Sequence, residues 1–186
     1  MSHPETLTIG SLLDLASLQG AYSLGYAFIF GTSLWVTFVG GTIAYKTLPR
    51  QQFGAFQHKV FAIYFNLNMV ITTGLLSTWI LTHPDVLVHY KRPTVPNVAQ
   101  AYTLITALLS AALNSFVINP LTSKTMFARF QQEKDESKTY NEPGVSDAMK
   151  ALNKKFGRLH AYSEIFNLAA FLALAFHGLW IGNHGI

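Results

Sequence analysis

The sequence predicts an all-α membrane protein, a four-helix transmembrane bundle in which the third and fourth spans continue as helices into the cytosol. Three observations predict it. Only 12% of the 186 residues are charged while 50% are hydrophobic, and an ordinary soluble domain carries about 25% charge. The charges leave four long windows empty or nearly so. The basic residues gather on alternate loops.

The windows run 15–45, between Asp14 and Lys46; 60–84, between Lys59 and Asp85; and 93–123, between Arg92 and Lys124. The fourth, 159–186, is broken only by Glu164. Each exceeds the roughly 20 residues that carry a helix across a hydrocarbon core of about 30 Å. A soluble bundle of such helices needs a charged outer shell that 13 Lys and Arg with 9 Asp and Glu do not supply. The expected organisation is a single four-span membrane domain over 1–186, with spans at 22–45, 60–81, 98–118 and 159–182 and a loop at 119–158.

Residues 5–19, leucine-rich around Asp14, read as a short interfacial helix or an extension of the first span. No Lys or Arg precedes position 46 and the first apolar window is too long for a signal-peptide core, so that span is expected to act as its own targeting signal. Loop 82–97 carries His83-Pro84, Arg92-Pro93 and Val95-Pro96 and is expected to be extended. Tyr90, Trp79 and Trp180 fall where interfacial aromatics belong. Asn119-Pro120 reads as a cap with proline at the first turn, restarting a helix towards Glu133. The stretch 132–144 ends in Pro143-Gly144 and reads as a mobile tip. Ser146 then caps a helix with Met149, Leu152 and Phe156 on one face, either an ordinary connector or a surface for lipid or a partner.

Orientation follows from counting Lys and Arg by loop. Loops 46–59 and 119–158 hold eleven, whereas loop 82–97 holds Lys91 and Arg92. The eleven mark the cytosolic side, and both termini are expected in the lumen or outside the cell. A net charge of +4 so arranged suits a membrane surface and argues against a nucleic-acid partner. With no cysteine, disulfides, thiolate metal sites and cysteine nucleophiles are excluded.

Within the spans the polar residues fall in stripes at about 100° per residue. Tyr22, Tyr26, Ser33 and Thr37 align in the first span, and Lys59, Asn66, Thr73 and Ser77 in the second, with Asn68 opposite. Thr103, Thr106, Ser110 and Asn114 align in the third, and His160, Glu164 and Asn167 in the fourth, beside Ser163. Thr37, Asn66, Asn114, Glu164 and Asn167 share a depth in the cytosolic half, with Lys59 and His160 at the mouth. These eight residues, Ser163 included, form the candidate ligand-binding cluster, because hydrocarbon makes an unpartnered polar group costly. The same amides and hydroxyls also serve to join helices, at about 0.6 kcal/mol per bond. Small pairs such as Ala27 with Gly31 permit close approach within one chain or in a homo-oligomer.

No resident cofactor is expected. The alternative is a haem or metal ion held by His58 and His160, which start antiparallel neighbours at one border. HExxH, P-loop, GxGxxG and Ser-His-Asp patterns are all missing from the sequence.

The run Leu34 to Gly41, Leu48-Pro49-Arg50, Phe53-Gly54, Gln57-His58-Lys59-Val60-Phe61 and Tyr64-Phe65 resembles the transmembrane protein 205 family, also called DUF4149. Asn114, Asn119-Pro120 with Thr122, and His160, Ser163, Asn167 and Leu168 match its later pieces. Asn119 stands where the family has an acidic residue and Leu121 where it has a basic one, and Glu164 lies outside its pattern. The resemblance implies a multi-pass protein of the endomembrane system or cell surface, with a family link to drug resistance. The expected function is non-enzymatic, binding or moving a small solute or lipid through the polar interior of the bundle. Two alternatives stand beside it, a haem- or metal-binding redox protein and an adaptor recruiting a cytosolic partner to loop 119–158.

Overall fold

A computed structural model describes residues 6–186, so Glu5 of the expected N-terminal segment lies outside the described residues. The described chain is helical, with no strand among those residues. A short α1 (Ile9–Asp14) leads to α2 (Leu18–Thr47) and α3 (Arg50–Thr82). A short α4 (Asp85–Val88) precedes the long α5 (Pro96–Glu136) and α6 (Asp147–His184). Helices α2, α3, α5 and α6 each hold an apolar window long enough to cross a membrane.

The helix ends follow local chemistry. Thr8 and Ser11 form a reciprocal capping box on α1, and Ser17 Oγ accepts the Gly20 N–H at 3.0 Å to begin α2. The N-terminal segment is therefore a separate helix, with Leu7, Ile9 and Leu13 exposed. Pro49 fixes the extended backbone before α3, which starts well ahead of its charge-free window.

Two wide π turns interrupt the long helices, at Trp35–Gly40 in α2 and Asn114–Ile118 in α5. The second corrects the reading of Asn119-Pro120. Asn119 is helical, with φ −62° and ψ −43°, and no cap or restart is present. A proline ring clashes with the carbonyl four residues back in a regular α-helix; the π turn directly before Pro120 re-spaces that carbonyl and lets α5 run on to Glu136.

The connections are tighter than expected. The proline-rich loop is folded, not extended: Asn97 Nδ2 donates to both Asp85 carboxylate oxygens at 3.2 and 3.1 Å, and Trp79 Nε1 donates to Asn97 O at 2.9 Å. Trp79 is thus buried within the bundle. The supposed mobile tip is helix up to Glu136, then a turn through Ser137 at φ 49°. Glu136 Oε1 takes the Ser146 hydroxyl at 2.5 Å while Ser146 Oγ accepts the Met149 N–H at 3.1 Å. One serine therefore both caps α6 and ties it to α5.

Packing centres on α5, which contacts α3 and α6 most extensively. Its buried Ala101, Ala107 and Ala111 let backbones approach closely, the usual route to cohesion where lipid is as apolar as the core. Around them Tyr22, Ile29, Leu75, Trp79, Leu104 and Leu174 form the core. Leu24, Phe28, Ile63, Val70, Leu109, Ile165, Leu172 and Leu179 face outward, an apolar surface suited to acyl chains.

Candidate functional site

Three helices share one buried polar chain. Thr72 Oγ1 donates to Asn68 Oδ1 at 3.3 Å, and Asn68 Nδ2 donates to Ser33 Oγ at 3.4 Å. Ser33 Oγ lies 3.1 Å from Tyr64 Oη, and Tyr64 Oη lies 2.9 Å from Asn167 Oδ1. Asn167 Nδ2 then donates to Thr37 Oγ1 at 2.9 Å. A phenol has one proton, and Asn167 Oδ1 can only accept. When Tyr64 gives its proton to Asn167 and Ser33 gives its own to Tyr64, the bonds run in one direction from Thr72 to Thr37.

A second knot joins α5 to α6. Ser163 Oγ donates to Asn114 Oδ1 at 2.7 Å, while Asn114 Nδ2 donates to Ser110 O at 3.2 Å and Ser163 O at 3.4 Å. Thr37 and Asn114, which carry these two links from α2 and α5 to Asn167 and Ser163 of α6, both sit in the π turns, where the wider backbone shifts helix phase.

The structure corrects the reading of α3. Its inward stripe is Tyr64, Asn68, Thr72 and Trp79, with Asn68 only 2% exposed. Asn66 looks outward, where Ser115 Oγ donates to its Oδ1 at 2.6 Å, and Lys59 is exposed. Both faces of this helix are apolar, so the positions of the amides alone do not set its phase. Of the eight cluster residues, Thr37 and Asn167 meet directly, as do Asn114 and Ser163; His160 and Glu164 stand at the rim, 3.9 Å apart, and Asn66 and Lys59 stay apart.

Above this level, at the basic end, lies a cleft of about 330 Å³ between α3, α5 and α6, within the usual size range of small-molecule sites. Phe53, Phe61, Phe130, Phe156 and Met126 give it an apolar wall. Gly54 makes room: a Cβ there would stand 2.8 Å from Met126 Sδ and 2.9 Å from Phe130 Cζ. A neighbouring recess of about 290 Å³ shares Tyr45, Phe53, Gln57, Phe61, His160 and Glu164 with the cleft and reaches Thr37 and Asn167.

Two arginines close the cleft. Arg50 forms an ion pair with the buried Glu133 carboxylate, whose Oε1 also accepts the Tyr140 N–H at 2.8 Å. The guanidinium carbons of Arg50 and Arg129 each lie 4.4 Å from the Tyr140 ring centre, and Arg129 lies 4.5 Å from that of Phe156. His58 Nδ1 and Ser123 Oγ, 2.7 Å apart, line the same cleft as His160. Among the described residues no three His, Asp or Glu side chains converge as a metal centre would require.

The profile of a domain of unknown function, DUF4149, matches residues 24–131. The chain belongs to the DUF4149 family. Among its relatives is "Xanthocillin biosynthesis cluster protein D" of Aspergillus fumigatus, 25% identical over 92% of this chain and 94% of that protein. Another is "Transmembrane protein 205" of Danio rerio, 22% identical over 83% of this chain and 86% of the relative. No solved structure matches.

The DUF4149 match spans α2, α3 and most of α5 and so includes Gly54, His58, Asn114 and Arg129. One buried polar centre of this DUF4149 chain was missed in the sequence. His177, 0% exposed, places Nε2 2.5 Å from Tyr22 Oη and Nδ1 2.9 Å from Gln100 Oε1, with the Trp79 ring edge-on at 5.2 Å. The oxygen of Gln100 accepts and the phenol donates, which holds the ring as its neutral Nδ1–H form. Its spacing from Ser163 and Asn167, on the inward side of α6, was the available signal.

Proposed function

We propose that this DUF4149 chain binds a small amphiphile, a lipid or lipid-like solute, in the cleft at the basic end of its bundle. The observation that carries the reading is continuity: an aromatic-walled cleft and a recess ending on Thr37 and Asn167 share six lining residues. An apolar body fits the wall, and a polar end finds the arginines, His160 or the Asn167 amide. Binding without chemistry is favoured, since the buried polar chain satisfies itself and the Ser123–His58 pair of the cleft has no carboxylate bonded to its histidine among the described residues. At the other end Tyr22, Trp79, Gln100 and His177 fill the bundle, which favours a site open at one end over a pore.

The excess of Lys and Arg at this end supports a cleft facing the cytosol, with both termini opposite, in the endomembrane or plasma membrane that the resemblance implies. The relative named for a biosynthesis cluster accords with handling a small organic molecule in a membrane, and so does the drug-resistance link the resemblance implies.

The test is cross-linking in reconstituted vesicles with a photoactivatable neutral diacylglycerol. Label is expected on peptides containing Phe53 to Phe61 and Phe130, and Gly54→Leu, which fills the cleft, should reduce it several-fold. Equal labelling of the outward stretch Leu24 to Phe28 and no effect of Gly54→Leu would refute the proposal.

A further inference from the structure

One side chain of the cleft has chemistry left over. Arg129 is 6% exposed and lines the cleft, yet its Nε is buried with no hydrogen-bond acceptor among the described residues. The carboxylate beside it, Glu133, is paired with Arg50. Tyr140 and Phe156 attract the guanidinium charge through their ring faces, but a ring face supplies no acceptor in the plane of the N–H groups. A buried, charged donor without an acceptor costs several kcal/mol in general. Asn153 Oδ1 is the other buried atom without a partner; its amide nitrogen holds Tyr140 O at 2.8 Å, and Asn153 is not part of the cleft wall. Glu164, on the same wall, is half-exposed and placed beside His160.

The arrangement has a direction. The Tyr140 and Phe156 rings hold the Arg129 guanidinium carbon at 4.4 and 4.5 Å, and a planar guanidinium so held donates to two oxygens of one carboxylate or phosphate. Gly54 has no side chain to displace Met126 and Phe130, which line the same cleft as Arg129.

We propose that the ligand of the cleft carries an oxyanion, of the phosphate or carboxylate kind, received in the plane of the Arg129 guanidinium. This rests on the cleft being the binding site and names the head group it takes. A lipid head group and a free anion offer the same chemistry, and the aromatic wall beside Arg129 is what a tail would use.

The experiment uses the full chain, delipidated in a neutral detergent, with binding read by native mass spectrometry and by thermal shift. Three probes are compared: dioleoyl phosphatidic acid, dioleoylglycerol with the same tails and no charge, and inorganic phosphate. Phosphatidic acid is expected to bind at least about tenfold more tightly than dioleoylglycerol. Arg129→Gln should abolish that preference while leaving dioleoylglycerol bound. Arg129→Lys, which keeps charge and stem but loses the fork, should fold and lose most of it. Inorganic phosphate that competes with phosphatidic acid at equal strength supports the anion site and assigns it to a free anion; failure to compete assigns it to a lipid. Equal binding of phosphatidic acid and dioleoylglycerol by the wild-type chain overturns the oxyanion and leaves the amphiphile site standing. Binding of neither lipid overturns the amphiphile site, and if phosphate also fails to bind, the oxyanion falls with it.

Discussion

The Tyr64 phenol and the Asn167 amide meet across α3 and α6, with Oη 2.9 Å from Oδ1. That contact is the fourth of five links in the polar chain from Thr72 to Thr37.

Removing this link should be felt on both sides of it. Tyr64→Phe leaves Asn167 Oδ1 and Ser33 without a shared partner and is expected to cost about 1–2 kcal/mol, above the roughly 0.6 typical of a membrane hydrogen bond, because a buried acceptor is stranded. Asn68→Ala should destabilise more than Asn66→Ala, since Asn66 is exposed. Thermal unfolding in detergent ranks the three; an Asn66→Ala loss equal to that of Asn68→Ala would place the stripe on the wrong face.

Gly178 admits the Tyr26 ring. A Cβ at that position would stand beside Tyr26 Oη, far inside contact distance, so Gly178→Ala must expel the ring and break its bond to Leu174 O at 3.0 Å. A loss on the order of 1–3 kcal/mol is expected. Gly182→Ala, with nothing near its Cβ, should be neutral or slightly stabilising in the same unfolding assay.

Glu133 holds the α5–α6 turn together by pairing Arg50 and accepting the Tyr140 N–H. Glu133→Gln would leave two guanidinium groups against one tyrosine ring with no carboxylate between them. Stability should fall by about 1–3 kcal/mol, below the full value for a buried pair because Arg50 is partly exposed. Proteolysis within 137–146 should speed up accordingly; unchanged cleavage would contradict the assigned role.

In that turn the Thr139 N–H and hydroxyl both reach Glu142 Oε1, at 2.9 and 2.8 Å. These bonds hold the Glu142 carboxyl below its ordinary range, the backbone bond first and the hydroxyl second. A depressed carboxylate contributes its ordering above the unfolded value and loses it as pH falls through the lowered one. The Thr139 amide resonance should therefore titrate with a midpoint below the ordinary glutamate range, and Glu142→Gln should remove the titration.

The fold was legible because charge is expensive in hydrocarbon: gaps between Asp14, Lys46, Lys59, Asp85, Arg92 and Lys124 mark the long helices without any periodicity. Helix phase was less legible. Asn66 and Asn68 lie about 200° apart, and on a helix apolar all round only Tyr64 and Trp79, large rings whose polar tips need partners, identify the inward side. The π turn before Pro120 left no signal that spacing reveals, so a continuous helix was read as a stop and a restart. Asn114, Ser163 and Asn167 were found because amides and hydroxyls in hydrocarbon must pair. Arg129 was visible only as one basic residue on the helix running towards Glu133, because its burial depends on how α5 and α6 close over Tyr140.

The chain contains no cysteine, so one introduced cysteine reports one position. Gln57, which lines both cleft and recess, is the most direct choice, with Leu81 on an outward face at the other end as control. In vesicles, Gln57→Cys should react with a water-soluble maleimide added from the basic side and be protected several-fold by phosphatidic acid, while Leu81→Cys stays unprotected. Labelling of Gln57→Cys that amphiphile leaves unchanged, or that occurs only from the opposite side, would contradict a ligand cleft at the cytosolic end of the bundle.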